Sequence, residues 1–435
     1  MKKSQEKQLG FNGSITVFFS LIFILLLSIV GAMIQSASIQ AAKSIKRAET
    51  SLALENLFAE YQVELLNQYD MFAKEGSNKR EISERLKFYG VVEAEHEILQ
   101  SRLLSDFNGQ AFYEQAVRSM GGESERIDVL TDSTSESIGE SVNEKLDMLV
   151  QEEGQELPTE NNPIEAAKTL KNTNLLSLIY PSPEQLSNQN VKLESLPSHR
   201  VLRKGIGDVE EQLKDSLINH GLFVMYLSEH FSNVLQTSKE HPLFYETEYL
   251  LGGYSSDKEN LKAVADKIIS VRVAMNYAYL LSDETKQAEA EVIALVLSSL
   301  MTVPQATEIV KQAILFSWAY GESILDLRVL LKGDKVPLVK TAESWQLQLS
   351  NLMRLAAGEE VAGQTHFEEG VTYNDYLKTF LLAEKKETLS MRALDLVELN
   401  TGVQVDDCIT QLKIKSTCQL RRGITYTFTT NYEYE

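Results

Sequence analysis

Two cysteines and eight prolines in 435 residues are few. A chain so poor in cysteine is no disulfide-stapled scaffold, and one so poor in proline is no rigid proline-rich stalk. Cations are short as well: 42 Lys and Arg stand against 62 Asp and Glu, a net charge of -20. Neutralising nucleic-acid phosphate needs clustered cations, so no nucleic-acid partner is expected, and the bulk charge also disfavours adhesion to anionic lipid. The six histidines are scattered, at 96, 199, 220, 230, 241 and 366. There is no G-x-S-x-G, no H-E-x-x-H, no phosphate loop and no C-x-x-C. These absences predict a protein without cofactor, metal or catalytic residue, and so a non-enzymatic one.

What is present begins at the amino terminus. No charged residue occurs from Phe11 to Ala42. Ile15 to Ile34 alone makes about 30 Å of helix, the thickness of a hydrocarbon core. The run exceeds the roughly 7 to 15 apolar residues of a cleavable signal, so a retained anchor is expected, although Ser36-Ala37-Ser38 would suit a signal peptidase. Lys2, Lys3 and Lys7 precede the span, and Lys43, Lys46 and Arg47 follow it, so flanking charge orients it weakly. The length of the acidic part that follows favours a cytoplasmic amino terminus and an extracytoplasmic carboxyl-terminal domain. Ser28, Ala32 and Ser36 recur every fourth residue on one helix face, a spacing that permits close packing or self-association of helices.

The remainder reads as mainly α, with a small β-hairpin at the end. Residues 1–13 form a cytoplasmic leader and 14–36 the transmembrane helix. Leu54, Phe58, Tyr61, Leu65, Tyr69 and Phe72 then repeat at helical spacing. That stripe predicts a helical stalk over residues 37–120. From Gly121 to Glu165 there are thirteen acidic and two basic residues, so 121–200 is expected to be a flexible acidic insertion and linker. It lacks the spacing of a calcium loop. Residues 201–400 form a helical core domain, in which Val292 to Val303 is apolar but too short to span and is read as a buried helix. Trp318 and Tyr320 are expected in that core. "GGYSSDKENL" is expected to cap a helix starting near Lys258, although a glycine pair there could also hold an anion. Glu93, Glu95, His96 and Glu97 are expected as solvated charge on a helix. His220 and His230, about 80° apart around a helix, do not converge on a ligand.

Residues 401–435 change to period two. Ile424, Tyr426 and Phe428 alternate with Thr425, Thr427 and Thr429, which is strand chemistry. Cys408 and Cys418 sit in this hairpin. Outside the membrane a disulfide between them is favoured, at about 2 to 4 kcal/mol of stabilisation, over two buried free thiols.

"GSITVFFSLIFILLLSIVGAMIQSASIQ" resembles the opening of the TadE/TadG-like group of Tad (Flp-type) pilus and secretion clusters. "EYLLGGYSSDKENLKAVADKIISVRVAMNYAYLLSD" and "AILFSWAYGESILDLRVLLKGDKVPLVKTAESWQLQL" look like an uncharacterised domain family of Gram-positive bacteria, domain of unknown function 5702. The first resemblance implies protein partners in a pilus or secretion machine. It also points to a processing junction at Gly10-Phe11. Pilin processing asks for Glu five residues into the mature chain, where Ile15 stands, so this junction is degenerate. The function expected is assembly, or a minor structural role, in such an apparatus at the cell membrane. An extracytoplasmic ligand-binding or sensor module is the alternative, and it would need a concave pocket within Val201 to Asn400.

Overall fold

A computed structural model describes residues 11–92, 94–121, 166, 169–170, 173–180, 186–207, 213, 216–300, 306–359, 361 and 366–434. The acidic stretch expected to be flexible falls almost wholly outside these residues, as does Gly10. Helix α1 (Phe11–Phe58) runs through 48 residues, about 72 Å at 1.5 Å per residue. It has no proline to break it, and Ser20 and Ser28 donate to the carbonyls of Thr16 and Ile24 at 2.8 Å, so their hydroxyls are satisfied inside the helix. The apolar stripe continues beyond Phe58, but not on one helix. Leu65 and Tyr69 lie on α2 (Val63–Tyr69), and Tyr61 and Phe72 lie in the segments flanking it.

The stretch expected as an all-helical stalk also contributes strands. After β1 (Lys74–Glu75) and α3 (Lys79–Phe88) comes β2 (Ala94–Leu103). The central strand is β3 (Cys408–Leu420). It takes β2 antiparallel on one edge and β4 (Ile424–Glu433) on the other, where β1 continues past the end of β4. One face of this sheet is apolar. Leu412 and Ile414 join Ala53, Leu54, Leu57 and Phe58 of α1 in one core. Cys418, Leu420 and Phe428 pack with Ile39 and Ala42 of α1. The Thr425, Thr427 and Thr429 face is exposed, as the alternation predicted.

The helical body follows: α4 (Asp106–Met120), α5 (Leu175–Ile179), α6 (Leu217–His230), α7 (Glu246–Gly252), α8 (Asp257–Ser282), α9 (Glu284–Leu300), α10 (Thr307–Leu330), α11 (Leu352–Ala356), α12 (Tyr373–Ala383) and α13 (Lys386–Thr401). Its core is continuous and reaches the sheet through Leu104 and Cys408. Ser256 caps α8 through the Glu259 amide, with Gly253 in the left-handed region at φ 70°, so the glycine–serine stretch is a cap as expected. Trp318 is buried and donates to the Leu347 carbonyl at 2.8 Å, and Tyr320 packs partly buried beside it. Of the apolar run expected as a buried helix, residues 301–303 lie outside the described residues, and the part on α9 is only half buried. Ala290, Ala294 and Leu297 of α9 face the core, while Val292, Leu295 and Val296 are 62%, 54% and 54% exposed.

Candidate functional site

The candidate features divide between α1 with its sheet and the buried polar groups of the helical body. Among the described residues α1 is the one helix long and apolar enough to cross a membrane, with a mean hydropathy of 2.9 over its most apolar window. Ser28, Ala32 and Ser36 lie exposed on it, and the four-residue spacing puts them on one face. Phe11 opens α1.

Where α1 passes the sheet, it is held by polar and aromatic contacts. Lys43 Nζ lies 5.2 Å from the centre of the Tyr426 ring, and Arg47 donates to the Tyr426 hydroxyl at 3.0 Å. At its far end Phe58 stacks on Tyr432 at 4.5 Å and meets Tyr434 edge-on at 5.1 Å. The Tyr434 hydroxyl also donates to the Phe58 carbonyl, and burial raises its pKa. An open groove of about 900 Å³ lies here, lined by Phe58, Tyr61, Phe72, Tyr432 and Tyr434, with Glu55, Arg118 and Glu433 among its polar residues. It lies between the end of α1 and the end of β4, not within Val201 to Asn400, where the sequence placed a pocket for the ligand-binding alternative. Its walls are aromatic rings with charges of both signs, a surface suited to stacking and ion pairing.

The two cysteines do not pair. Both are free and lie on one strand, Cys408 opposite Glu75 and Cys418 opposite Tyr426. Ten residues of strand separate them by about 33 Å, far beyond the reach of a disulfide. The expected bond placed them on partner strands of a hairpin that in fact starts at Leu420. Burial pushes the Cys408 thiol up, so it is a poor nucleophile. The acidic tetrad around His96 is also relocated. Residues 94–97 lie on β2 rather than on a helix, so Glu95 and Glu97 point outward while His96 Nδ1 meets Ser416 Oγ at 3.0 Å. Burial, with Lys87 adding to it, lowers the His96 pKa. His220 and His230 share α6, and His230 stacks on Tyr226 at 4.1 Å. Among the described residues no group of three or more His, Cys, Asp or Glu is placed to hold a metal ion.

The helical body contains what sequence reading missed. Arg272, Glu322, Asp326 and Lys340 are each 0% exposed in their side chains. Arg272 Nη2 meets Asp326 at 2.7 Å, and Lys340 Nζ meets both Glu322 and Asp326 at 2.6 Å. Two cations thus balance two anions. Glu322 also accepts the amides of Gln346 and Leu347, and Arg272 donates to the carbonyls of Pro337 and Leu338. Burial pushes the Glu322 carboxyl up, reinforced by Asp326 and opposed by Lys340. Burial opposes the charge of Asp326 too, but Arg272 and Lys340 outweigh it and hold that carboxyl below its usual range. With its partners drawn from α8, α10 and the 337–347 segment, this cluster fixes that loop onto α8 and α10.

Other buried carboxylates act in the same way. Asp395 accepts from the amide and hydroxyl of Ser198 and from the Tyr249 hydroxyl. Asp257 accepts from the Phe244 and Tyr245 amides and from the Ser187 hydroxyl. Glu248 accepts from the Val234 amide and the Tyr373 hydroxyl, yet burial still raises its pKa to about 7. Each of these acids sits on a helix and holds backbone of a loop outside that helix. The signal available beforehand was an acid inside an apolar helical run, as with Glu322 and Asp326 in "SWAYGESILDLRVLL"; which loop it binds is not written locally.

The family model of DUF5702, a family of unknown function, matches residues 153–420. No curated protein and no solved structure matches the chain.

Proposed function

The chain belongs to DUF5702, a family of unknown function, and on that premise we propose that it is a non-enzymatic, single-pass component of a surface machine, an assembly or minor structural part of a Tad/Flp-like pilus or secretion apparatus. One observation carries this reading: α1 is a single unbroken helix whose first half is apolar and exposed and whose second half is bound into the sheet. The apolar half and the sheet-bound half are therefore joined by continuous helix with no linker between them. That suits a part that holds position or passes force between membrane and exterior better than a domain on a flexible tether. The resemblance of the first forty residues to TadE/TadG-like openings supports the choice of machine. In this reading the amino terminus is cytoplasmic, the helical body extracytoplasmic, and the Ser28, Ala32 and Ser36 face packs on another membrane helix.

Affinity purification of the full chain from gently solubilised native membranes is expected to co-purify pilus or secretion proteins. Recovery of none, under conditions that keep such a machine intact, would overturn the assignment. The aromatic groove favours a second reading, a tethered binding or sensor module. Ligand-dependent quenching of a probe at Asn431, with no machine partners recovered, would select it.

A further inference from the structure

The bulk charge of -20 hides a basic end. From Cys408 to Tyr432 the sequence has four basic residues and no acidic one. Two of the four, Arg421 and Arg422, form the β3–β4 turn, Arg421–Gly423, with Arg421 exposed. Lys43 and Arg47 stand on the adjoining face of α1, against Tyr426.

The height of that turn can be read from the packing. Tyr426 is level with Lys43 to Arg47, and Tyr432 and Tyr434 are level with Phe58, so β4 and α1 run side by side in the same direction. The turn lies about 13 Å of strand back from Tyr426. The same distance along α1 is about nine residues, which reaches the neighbourhood of Ser36. Ser36 is two residues beyond Ile34, where the apolar stretch ends. The layer between the hydrocarbon edge and bulk water is about 5 to 8 Å deep on each side of a bilayer. The turn therefore arrives at headgroup level while remaining attached to the sheet.

We infer that the β3–β4 turn is a lipid-contact site, where Arg421 binds the phosphates of anionic phospholipids in the leaflet from which α1 emerges. Ile424, which directly follows the turn and is half-buried against α1, supplies an apolar group beside it. The contact gives α1 a second foothold. It fixes tilt and rotation of the body on the membrane while the acidic remainder is repelled from the surface. The inference rests on α1 being the membrane anchor, and it goes beyond the machine assignment.

The test uses the full chain in nanodiscs of phosphatidylcholine, with or without phosphatidylglycerol. A fluorophore is placed at Ser36→Cys, Thr425→Cys or Thr429→Cys, the unsubstituted chain with its buried cysteines is the labelling blank, and spin-labelled headgroups are the quencher. Quenching is expected at Ser36 and Thr425, and less at Thr429, about 13 Å farther along the strand. One basic residue beside an anionic leaflet shifts such an equilibrium about fivefold. Arg421→Glu is expected to remove at least that factor from the preference of the turn for spin-labelled phosphatidylglycerol over phosphatidylcholine. Quenching at Ser36 with none at Thr425 overturns the inference and leaves the anchor standing. An Arg421→Glu chain with unchanged lipid preference overturns its electrostatic basis. No quenching at Ser36 sinks the anchor reading itself.

Discussion

The sheet that clasps α1 and the helical body behind it solve the same problem with different materials. Between α1 and the sheet the core of the contact is apolar and aromatic, with Leu54, Leu57 and Phe58 meeting Leu412, Ile414 and Tyr434, and the polar contacts, such as Arg47 with Tyr426, lie at its exposed edge. The buried ion pair the sheet makes with the body, Arg102 of β2 with Glu114 of α4 at 2.7 Å, lies away from that contact. In the body the core is threaded by ionised side chains with no exposure at all, from Arg272 with Asp326 to Lys340 with Glu322. The first arrangement gains from area removed from water. In the second, desolvation offsets much of the Coulomb attraction, so the ion network does more to specify where loops dock than to stabilise the fold. A rod that must sit against a sheet needs only a complementary face. A body with long irregular connections needs each loop tied down, and a carboxylate accepting two or three amides can do that from inside.

This contrast can be broken most severely at the ion network. Lys340→Met leaves Glu322 and Asp326 sharing a buried site with one cation gone, and is expected to destabilise the body by about 3 to 5 kcal/mol. The readout is chemical denaturation followed by tryptophan fluorescence. Because Trp318 and Trp345 are the only tryptophans and both lie in the body, that signal reports on it alone. An unchanged midpoint would show the network to be dispensable. Phe58→Ala attacks the other region. It removes a ring that is 1% exposed, stacked on Tyr432 and edge-on to Tyr434, at an expected cost of about 3 kcal/mol. Here amide exchange should accelerate in β4 and the end of α1 while the tryptophan transition stays where it was. If both move together, the two regions are one cooperative unit.

A third change sharpens the role of buried acids through pH. The Glu248 carboxyl ionises near 4.5 when unfolded and near 7 when folded. The folded chain therefore binds more proton between these values, and the stability this group contributes falls as pH rises through that window. Glu248→Gln keeps the shape and removes the charge. It is expected to be nearly neutral at pH 4.5 and stabilising by about 1 to 3 kcal/mol at pH 8. Equal stability of the two chains at both pH values would refute the burial argument. The smallest effect belongs to the sheet surface. Tyr426→Phe loses the hydroxyl that accepts from Arg47 at an exposed site, and the melting of the sheet should shift by no more than about 0.5 kcal/mol.

The legibility of the two regions differs in the same direction as their chemistry. Alternating Ile424, Tyr426 and Phe428 announced β4, and an uncharged run from Phe11 to Ala42 announced the apolar half of α1. β2 could have been read from the same alternation, since Glu95 and Glu97 flank His96, but helical periodicity on both sides masked it. The cysteines misled because ten residues suit a hairpin, whereas β3 is 13 residues long and carries both. Nothing local marked the groove at the end of α1, which takes residues from α1, the loops on either side of α2, α4 and β4.

The sequence by itself determined the long apolar first helix, the predominance of helix and the terminal strands, because each rests on a pattern set by the backbone and expressed between neighbours in the chain. Only the tertiary structure decided that β3 is the central strand, that α1 lies along β4, and which loop each buried carboxylate binds. Those outcomes join residues up to several hundred positions apart, where charge and shape must match across space and the local pattern is silent.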